Sequence, residues 1–478
     1  MHIRKQIVLF LLTTYPLLIR AQSDISKPTT AQLQWHNMEF YLFMHFGPNT
    51  FTDKEWGEGN EREEIFNPTN LDCEQWCRVA KAAGAKGIII TAKHHDGFCL
   101  WPSRFSKHTV RESKWKDGRG DVLKELSSAC KKYGLKFGVY ISPWDRNHPD
   151  YGTEKYNDVF ANMMKEIFTN YGPIWELWWD GANGEGLNGK KQVYDWHRFE
   201  QTVRELSPNT IVFSDIGPDI RWCGNEDGMA GKTNWNTLDT AGFTRGAGSP
   251  PQDTLNAGNT NGKNWIPAEC DVSIRPGWFY HKEQDGKVKT PEQLFDLYLK
   301  SVGRGANLLL NVPPDRRGLI NENDSATLVG FNDLRENAFV KNLSKKGRGY
   351  YLVDMGSLST KKINDGKIKT YVPNIPYAPN TPGFIGPMRI QFRQPISMNC
   401  IILKEDIRNG QHCGNFKLSL MNDKRELLKE IRGTTIGRKR IITFPSVAVQ
   451  IIQLTIVENS CISEIETYLI DEKLIEKK

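Results

Sequence analysis

The chain has 478 residues, enough for one large domain and a second, smaller one. Hydrophobic residues make up 38% of it and charged residues 25%, which is the composition of an ordinary globular protein. The net charge of +7 is small for the length of the chain, and the basic residues are spread along it rather than gathered in one block, which argues against a nucleic-acid partner.

The first 21 residues resemble a secretory signal peptide. A basic start that includes Arg4 and Lys5 precedes an apolar stretch from Ile7 to Leu18, and we expect cleavage after Ala21. The stretch is too short to cross a bilayer. We therefore expect a protein that is exported, either to a periplasm or to the medium, without insertion into a membrane.

From about residue 40 to 340, short apolar runs alternate with amphipathic segments. Buried runs between helices indicate parallel strands, and one strand–helix unit about every 40 residues favours a (β/α)8 barrel over an open sheet. The segment 230–275 shows no clear strand, so the count of eight is inferred. We assign residues 30–345 to this domain. The runs are Leu42–Phe46, Gly87–Ala92, Leu135–Ile141, Ile174–Trp179, Thr210–Ser214 and Asn307–Val312.

Beyond residue 345 the helical pattern gives way to strict alternation, as in 451–457, with turn residues such as Asn409-Gly410. This pattern predicts a β-sandwich over residues 346–478. The stretches 403–411 and 433–437 resemble the galactose-binding-like, discoidin-type sandwich. Such a domain either binds glycans or braces the barrel, and both roles stay open.

Chemistry on a (β/α)8 barrel sits at the C-terminal ends of its strands. Several predicted strands end in polar residues: His45, the pair His94 and His95, Tyr140 and Asp180. Each alone could cap a loop or a helix. Together at one end of a barrel they predict a site.

Asp180 leaves an apolar strand and is followed by Gly181, which allows close approach of a ligand. Hydrolysis of a glycosidic bond needs two carboxyl groups, and Asp180 suits the one that acts at the anomeric carbon. From the pattern alone, a helix or loop cap is the more common role of an aspartate at a strand end.

A series of motifs resembles the strand-end motifs of the α-L-fucosidases of glycoside hydrolase family 29, over about residues 35–313. The resemblance implies a retaining mechanism with Asp180 as nucleophile and a covalent fucosyl-enzyme. It also implies a fucosylated oligosaccharide or glycoconjugate as partner and no cofactor. The motifs are Met44–Gly47, Glu55-Trp56, Ala92–Phe98, Gly138–Ser142 and Trp178–Ala182.

The second carboxyl group is harder to place. Glu226, in the stretch Arg221–Gly228, resembles the acid/base of the branch that acts on α1,3- and α1,4-linked fucose, and we favour it. Glu269, in Pro267–Asp271, is the rival because it also looks family-like and near a strand end.

The remaining contacts follow from fucose, which offers three hydroxyls and a methyl group. The three histidines can exchange hydrogen bonds with hydroxyls, and Tyr140 would stand near the reacting centre. By resemblance, a loop closes over the sugar. Two aromatic side chains are candidates for a wall that receives the methyl group, and one of two arginines is a candidate to hold the nucleophile ionised. The loop residues are Glu55 and Trp56, the aromatic residues that face the methyl group are Trp278 and Phe279, and the arginine beside the nucleophile is Arg221 or Arg275.

Two alternatives remain: a barrel glycosidase for another sugar, and a carbohydrate-binding protein without catalysis. We expect no metal, because no HExxH-like spacing accompanies the histidines, and Cys73 and Cys77 fit helix packing better than zinc ligation. No pattern indicates an oligomeric state.

Overall fold

The computed structural model describes residues 26–353, 356–374, 385–458 and 460–475. The signal peptide predicted over residues 1–21 lies outside the described residues. No helix in the described part of the chain is both long enough and apolar enough to cross a membrane.

Eight parallel strands close into a barrel in which each strand pairs with its neighbours in the chain and the last strand pairs with the first. The predicted (β/α)8-type fold is confirmed. Six strands coincide with the apolar runs of the sequence, and β6 and β7 are the two that the pattern did not reveal. The strands are β1 Phe40–Met44, β2 Gly87–Lys93, β3 Lys136–Ile141, β4 Glu176–Trp178, β5 Ile211–Ser214, β6 Ile220–Trp222, β7 Ala268–Ser273 and β8 Asn307–Asn311.

Helices surround most of the barrel, but the described residues 215–219, between β5 and β6, form no helix. Helix α8 begins with the capping box expected from sequence, since Thr290 and Gln293 exchange side-chain and backbone hydrogen bonds. The helices are α1 Thr30–His36, α2 Pro48–Thr52, α3 Cys73–Ala82, α4 Val122–Tyr133, α5 Glu154–Asn170, α6 Trp196–Leu206, α7 Gln252–Ala257, α8 Pro291–Lys300 and α9 Glu322–Phe339.

The C-terminal domain is an antiparallel β-structure, as expected of the predicted sandwich. Two long strands, β12 and β15, pair with each other along most of their length, with shifts of register. Their apolar side chains enclose a separate core. The strands are β9 Arg348–Val353, β10 Gly356–Ser359, β11 Val372–Asn374, β12 Ile385–Glu405, β13 Phe416–Met421, β14 Leu427–Gly433, β15 Arg440–Ile456 and β16 Ser460–Tyr468.

The second domain packs on the base of the barrel, where the strands begin. Lys439 forms an ion pair of 2.6 Å with Glu39, the residue before β1. Ile402 and Ile441 are buried within the same apolar cluster as the barrel's outer layer. The opposite end of the barrel, where the strands end, is left to the loops that build the site.

Candidate active site

A small pocket of about 140 Å³ opens at the C-terminal ends of the barrel strands. It is where the barrel rule places chemistry. Nine of the side chains proposed from sequence line it together: His45, Glu55, Trp56, His94, His95, Tyr140, Asp180, Glu226 and Trp278. Its other lining residues are Phe43, Trp178, Ala182 and Asp271.

Asp180 follows β4 and is held by two hydrogen bonds. Tyr140 Oη donates to its Oδ2 over 2.9 Å, and the backbone N–H of Ala182 donates to its Oδ1 over 2.7 Å. His95 Nε2 lies 3.8 Å from Oδ2. The side chain keeps about a quarter of its surface exposed. The carboxylate is thus fixed by neutral donors while one side remains open to the pocket.

The three histidines form a buried, uncharged wall. Burial lowers the pKa of His45 and of His95 to about 4 and that of His94 well below its ordinary value. His45 Nδ1 is 2.8 Å from Asn311 Oδ1, and His95 Nδ1 is 2.8 Å from Ser142 Oγ. Neutral imidazoles oriented by one partner have their second nitrogen available for a hydroxyl.

Glu55 and Trp56 come from the segment after α2. Glu55 Oε2 accepts a hydrogen bond of 2.8 Å from the backbone N–H of Trp278, and His281 Nε2 is 2.5 Å from its Oε1. Trp56 is 54% exposed and meets the His95 ring edge to face. Glu55 therefore joins two loops of the wall, and Trp56 forms part of the rim.

Glu226 lies in the loop after β6 at the mouth of the pocket. The indole Nε1 of Trp278 donates to its Oε2 over 3.2 Å, and the residue as a whole is exposed. The ring of Trp278 lies 5.1 Å from that of His45, so one tryptophan links the wall to the mouth. Phe279 is buried behind His45 and does not line the pocket.

The two arginines expected near the nucleophile are elsewhere, and that expectation is corrected. Arg221 is fully buried and donates to backbone oxygens, including those of Leu255 and Trp235. Arg275 is buried between Asp324 and Asp285, each 2.9 Å away. No arginine among the described residues lines the pocket. Both guanidinium groups serve the packing of the barrel instead.

Glu269 is the second residue of β7 and is therefore at its start, whereas sequence reasoning placed it near a strand end. It is fully buried in the barrel interior, where Tyr41 Oη and Trp178 Nε1 donate to its carboxyl group. Burial raises the pKa of Glu269, as it does that of neighbouring Glu176. Because it does not line the pocket, Glu269 cannot reach a leaving oxygen there.

Sequence reasoning missed two acidic residues. Asp215 follows β5, so the strand-end rule could have identified it; its carboxyl group lies directly against Gly181. Burial and, second, the charge of Asp180 raise the pKa of Asp215 to about 6. Asp271 lines the pocket from within β7, and only the unusual position of an acid inside a strand could have pointed to it.

Comparisons with known proteins agree with this geometry. The family model described as alpha-L-fucosidase matches residues 21–333. Alpha-L-fucosidase 1 of Arabidopsis thaliana is 40% identical over 430 residues, 88% of this chain and 82% of the relative. A glycoside hydrolase 29 family member from an unknown rumen bacterium superposes with a TM-score of 0.82 at 38% identity, covering 94% of this chain and 78% of that one.

A glycoside hydrolase family 29 fucosidase from Ruminococcus gnavus, solved in complex with fucose, gives a TM-score of 0.83 at 30% identity. The match covers 94% of this chain and 96% of the fucosidase. The family model covers more than half of the chain, and the likeness to solved members spans both domains. The chain belongs to the α-L-fucosidases of glycoside hydrolase family 29.

Proposed function

We propose that this protein is an exo-acting, retaining α-L-fucosidase in which Asp180 is the nucleophile and Glu226 the acid/base. The observation that carries the proposal is that Asp180 and Glu226 line one small pocket, while the rival Glu269 is buried outside it. A pocket closed below by barrel side chains suits removal of a terminal sugar.

The two carboxyl groups divide the work. Asp180 attacks the anomeric carbon of fucose while Glu226 gives a proton to the departing oxygen, and a β-linked fucosyl ester forms. Glu226, now ionised, takes a proton from water, which displaces Asp180 and restores the α configuration. The exposed position of Glu226 at the mouth suits it to exchange protons with water and with a leaving sugar.

Trapping tests the nucleophile. A 2-fluoro-fucosyl reagent should label the parent enzyme on the peptide that contains Asp180, because the fluorine slows the second step and leaves the ester in place. The variant Asp180→Ala should take up no label. Label on a peptide without Asp180 would contradict the assignment.

Azide rescue tests the acid/base. Glu226→Ala should cost little in the first step with an activated aryl fucoside and several orders of magnitude with an oligosaccharide, since only the poor leaving group needs a proton. Azide should restore turnover and give α-fucosyl azide through two inversions, whereas Asp180→Ala should give the β anomer. Glu269→Ala is the matched comparison, and rescue of that variant alone would transfer the role to Glu269.

We further propose that the substrate carries α1,3- or α1,4-linked fucose. The support is the likeness of the stretch that holds Glu226 to that branch of the family. Branched Lewis-type glycans should then release fucose faster than α1,2-linked compounds. A glycan panel in which the α1,2-linked compound is the best substrate would refute this.

A panel of aryl glycosides of different sugars decides between an α-L-fucosidase and the two alternatives, a glycosidase for another sugar and a carbohydrate-binding protein. Release of another sugar in preference to fucose would indicate a different glycosidase, and binding without release would indicate a lectin.

We also propose that the C-terminal domain is a galactose-binding-like sandwich and that the protein is exported. The packing on the barrel base favours a bracing role for that domain, and sequencing the N-terminus of the mature protein would test export.

A further inference from the structure

Asp271 is an acidic side chain that the two-carboxylate mechanism does not use. It projects from β7 into the pocket and retains only 4% of its surface exposed. Its Oδ1 is buried and has no hydrogen-bond partner in the described part of the chain. A buried polar atom without a partner is rare in a folded protein and calls for a ligand or a special role.

The surroundings of Asp271 oppose a negative charge. Burial raises its pKa well above the ordinary value of an aspartate, and the neighbouring Cys223, Glu226 and Glu269 raise it further. No cation is among the described groups that act most strongly on its pKa. The two arginines that could have balanced an aspartate, Arg221 and Arg275, are engaged elsewhere.

We propose that Asp271 binds fucose as a neutral carboxylic acid whose O–H donates a hydrogen bond to one hydroxyl of the sugar. The inference rests on the proposed function, because it places fucose in this pocket. A neutral carboxyl group can donate and accept at once, as a sugar hydroxyl can, so the two form a matched pair. It also adds no further negative charge to the pocket that holds the Asp180 carboxylate.

The neutral state makes a sharp prediction for two substitutions. Asp271→Asn keeps the size and a hydrogen-bond donor and stays uncharged, so it should lose clearly less kcat/KM for an aryl fucoside, and less affinity for fucose, than Asp271→Ala. Asp271→Ala removes the donor from a buried site. This variant should lower kcat/KM and raise the Kd for fucose, each by about tenfold to a hundredfold, as expected when a site built for a hydroxyl loses its partner.

Singly deoxygenated aryl fucosides identify the hydroxyl. The parent enzyme should lose activity on the analogue that lacks it, while Asp271→Ala should lose nothing further on that analogue. Such coupling in a double-mutant-type cycle is expected of a side chain and a hydroxyl in contact, whereas independent groups give additive losses. Additive losses at every position would overturn the proposal.

Other outcomes are equally decisive. If Asp271→Asn, with an unfolding midpoint like the parent's, loses as much as Asp271→Ala, an ionised carboxylate is required and the proposal is wrong. If azide rescues Asp271→Ala with α-fucosyl azide as product, Asp271 is the acid/base rather than a binding residue. Calorimetric binding of fucose needs no turnover, so it tests Asp271 even if the parent fails to hydrolyse fucosides, a failure that would instead refute the proposed function.

Discussion

Gly181 follows the proposed nucleophile, and the structure gives a steric reason for glycine there. A Cβ atom at this position would lie 2.5 Å from Asp215 Cγ and closer still to both carboxylate oxygens. Ordinary contact with a Cβ atom begins at 3.4 Å, so Gly181→Ala requires the Asp215 side chain, or the two strand ends, to move by about 1 Å.

The displacement should appear mainly in catalysis. Asp180 is adjacent to the clash, and a shift of about 1 Å in a catalytic group costs about a hundredfold in rate. We therefore expect Gly181→Ala to lower kcat/KM on an aryl α-L-fucoside about a hundredfold. Overpacking should lower the free energy of unfolding by only about 1–3 kcal/mol, so the variant stays folded.

Removing the obstacle should reverse the effect. Asp215→Ala deletes the three atoms that meet the new methyl group, so Gly181→Ala should cost much less in that background, and the cycle of four proteins should show coupling of at least tenfold. Gly286→Ala is the control, because nothing lies within 4 Å of a Cβ atom there. Activity of Gly181→Ala within threefold of the parent, or an equal cost in both backgrounds, would refute the steric argument.

Two further predictions concern stability. Arg275→Met should lower the free energy of unfolding in urea by about 3–5 kcal/mol, because it leaves Asp324 buried without its partner, and a large loss of kcat without this destabilisation would contradict the structural role. Neither ring nitrogen of the buried His36 has a hydrogen-bond partner among the described residues, and burial lowers its pKa to about 3. His36 therefore binds a proton near pH 6.5 in the unfolded chain but stays neutral in the folded chain. The free energy of unfolding consequently falls as the pH falls from about 6.5 towards 3. His36→Leu should reduce that fall by up to about 1.4 kcal/mol per pH unit, and an unchanged slope would contradict it.

The two strands that sequence reasoning missed show why the pattern has limits. β6 has three residues and contains Arg221, and β7 carries Glu269 and Asp271 inside the barrel. Strand prediction relies on uninterrupted apolar runs, and these charged residues break them. A barrel interior tolerates such residues when their partners come from other strands, as Trp178 does for Glu269.

The sequence by itself determined the class of fold and most of the pocket. Parallel strands joined by helices must all end on the same side, so polar residues that follow separate strands, such as His45 and Asp180, were bound to meet. Only the tertiary structure decided what each charge faces. Position along a strand did not reveal that Arg275 turns to an ion pair with Asp324, or that Asp271 points into the pocket while Glu269, two residues earlier, is buried beneath it. Those outcomes depend on contacts between residues far apart in the chain, which no local pattern encodes.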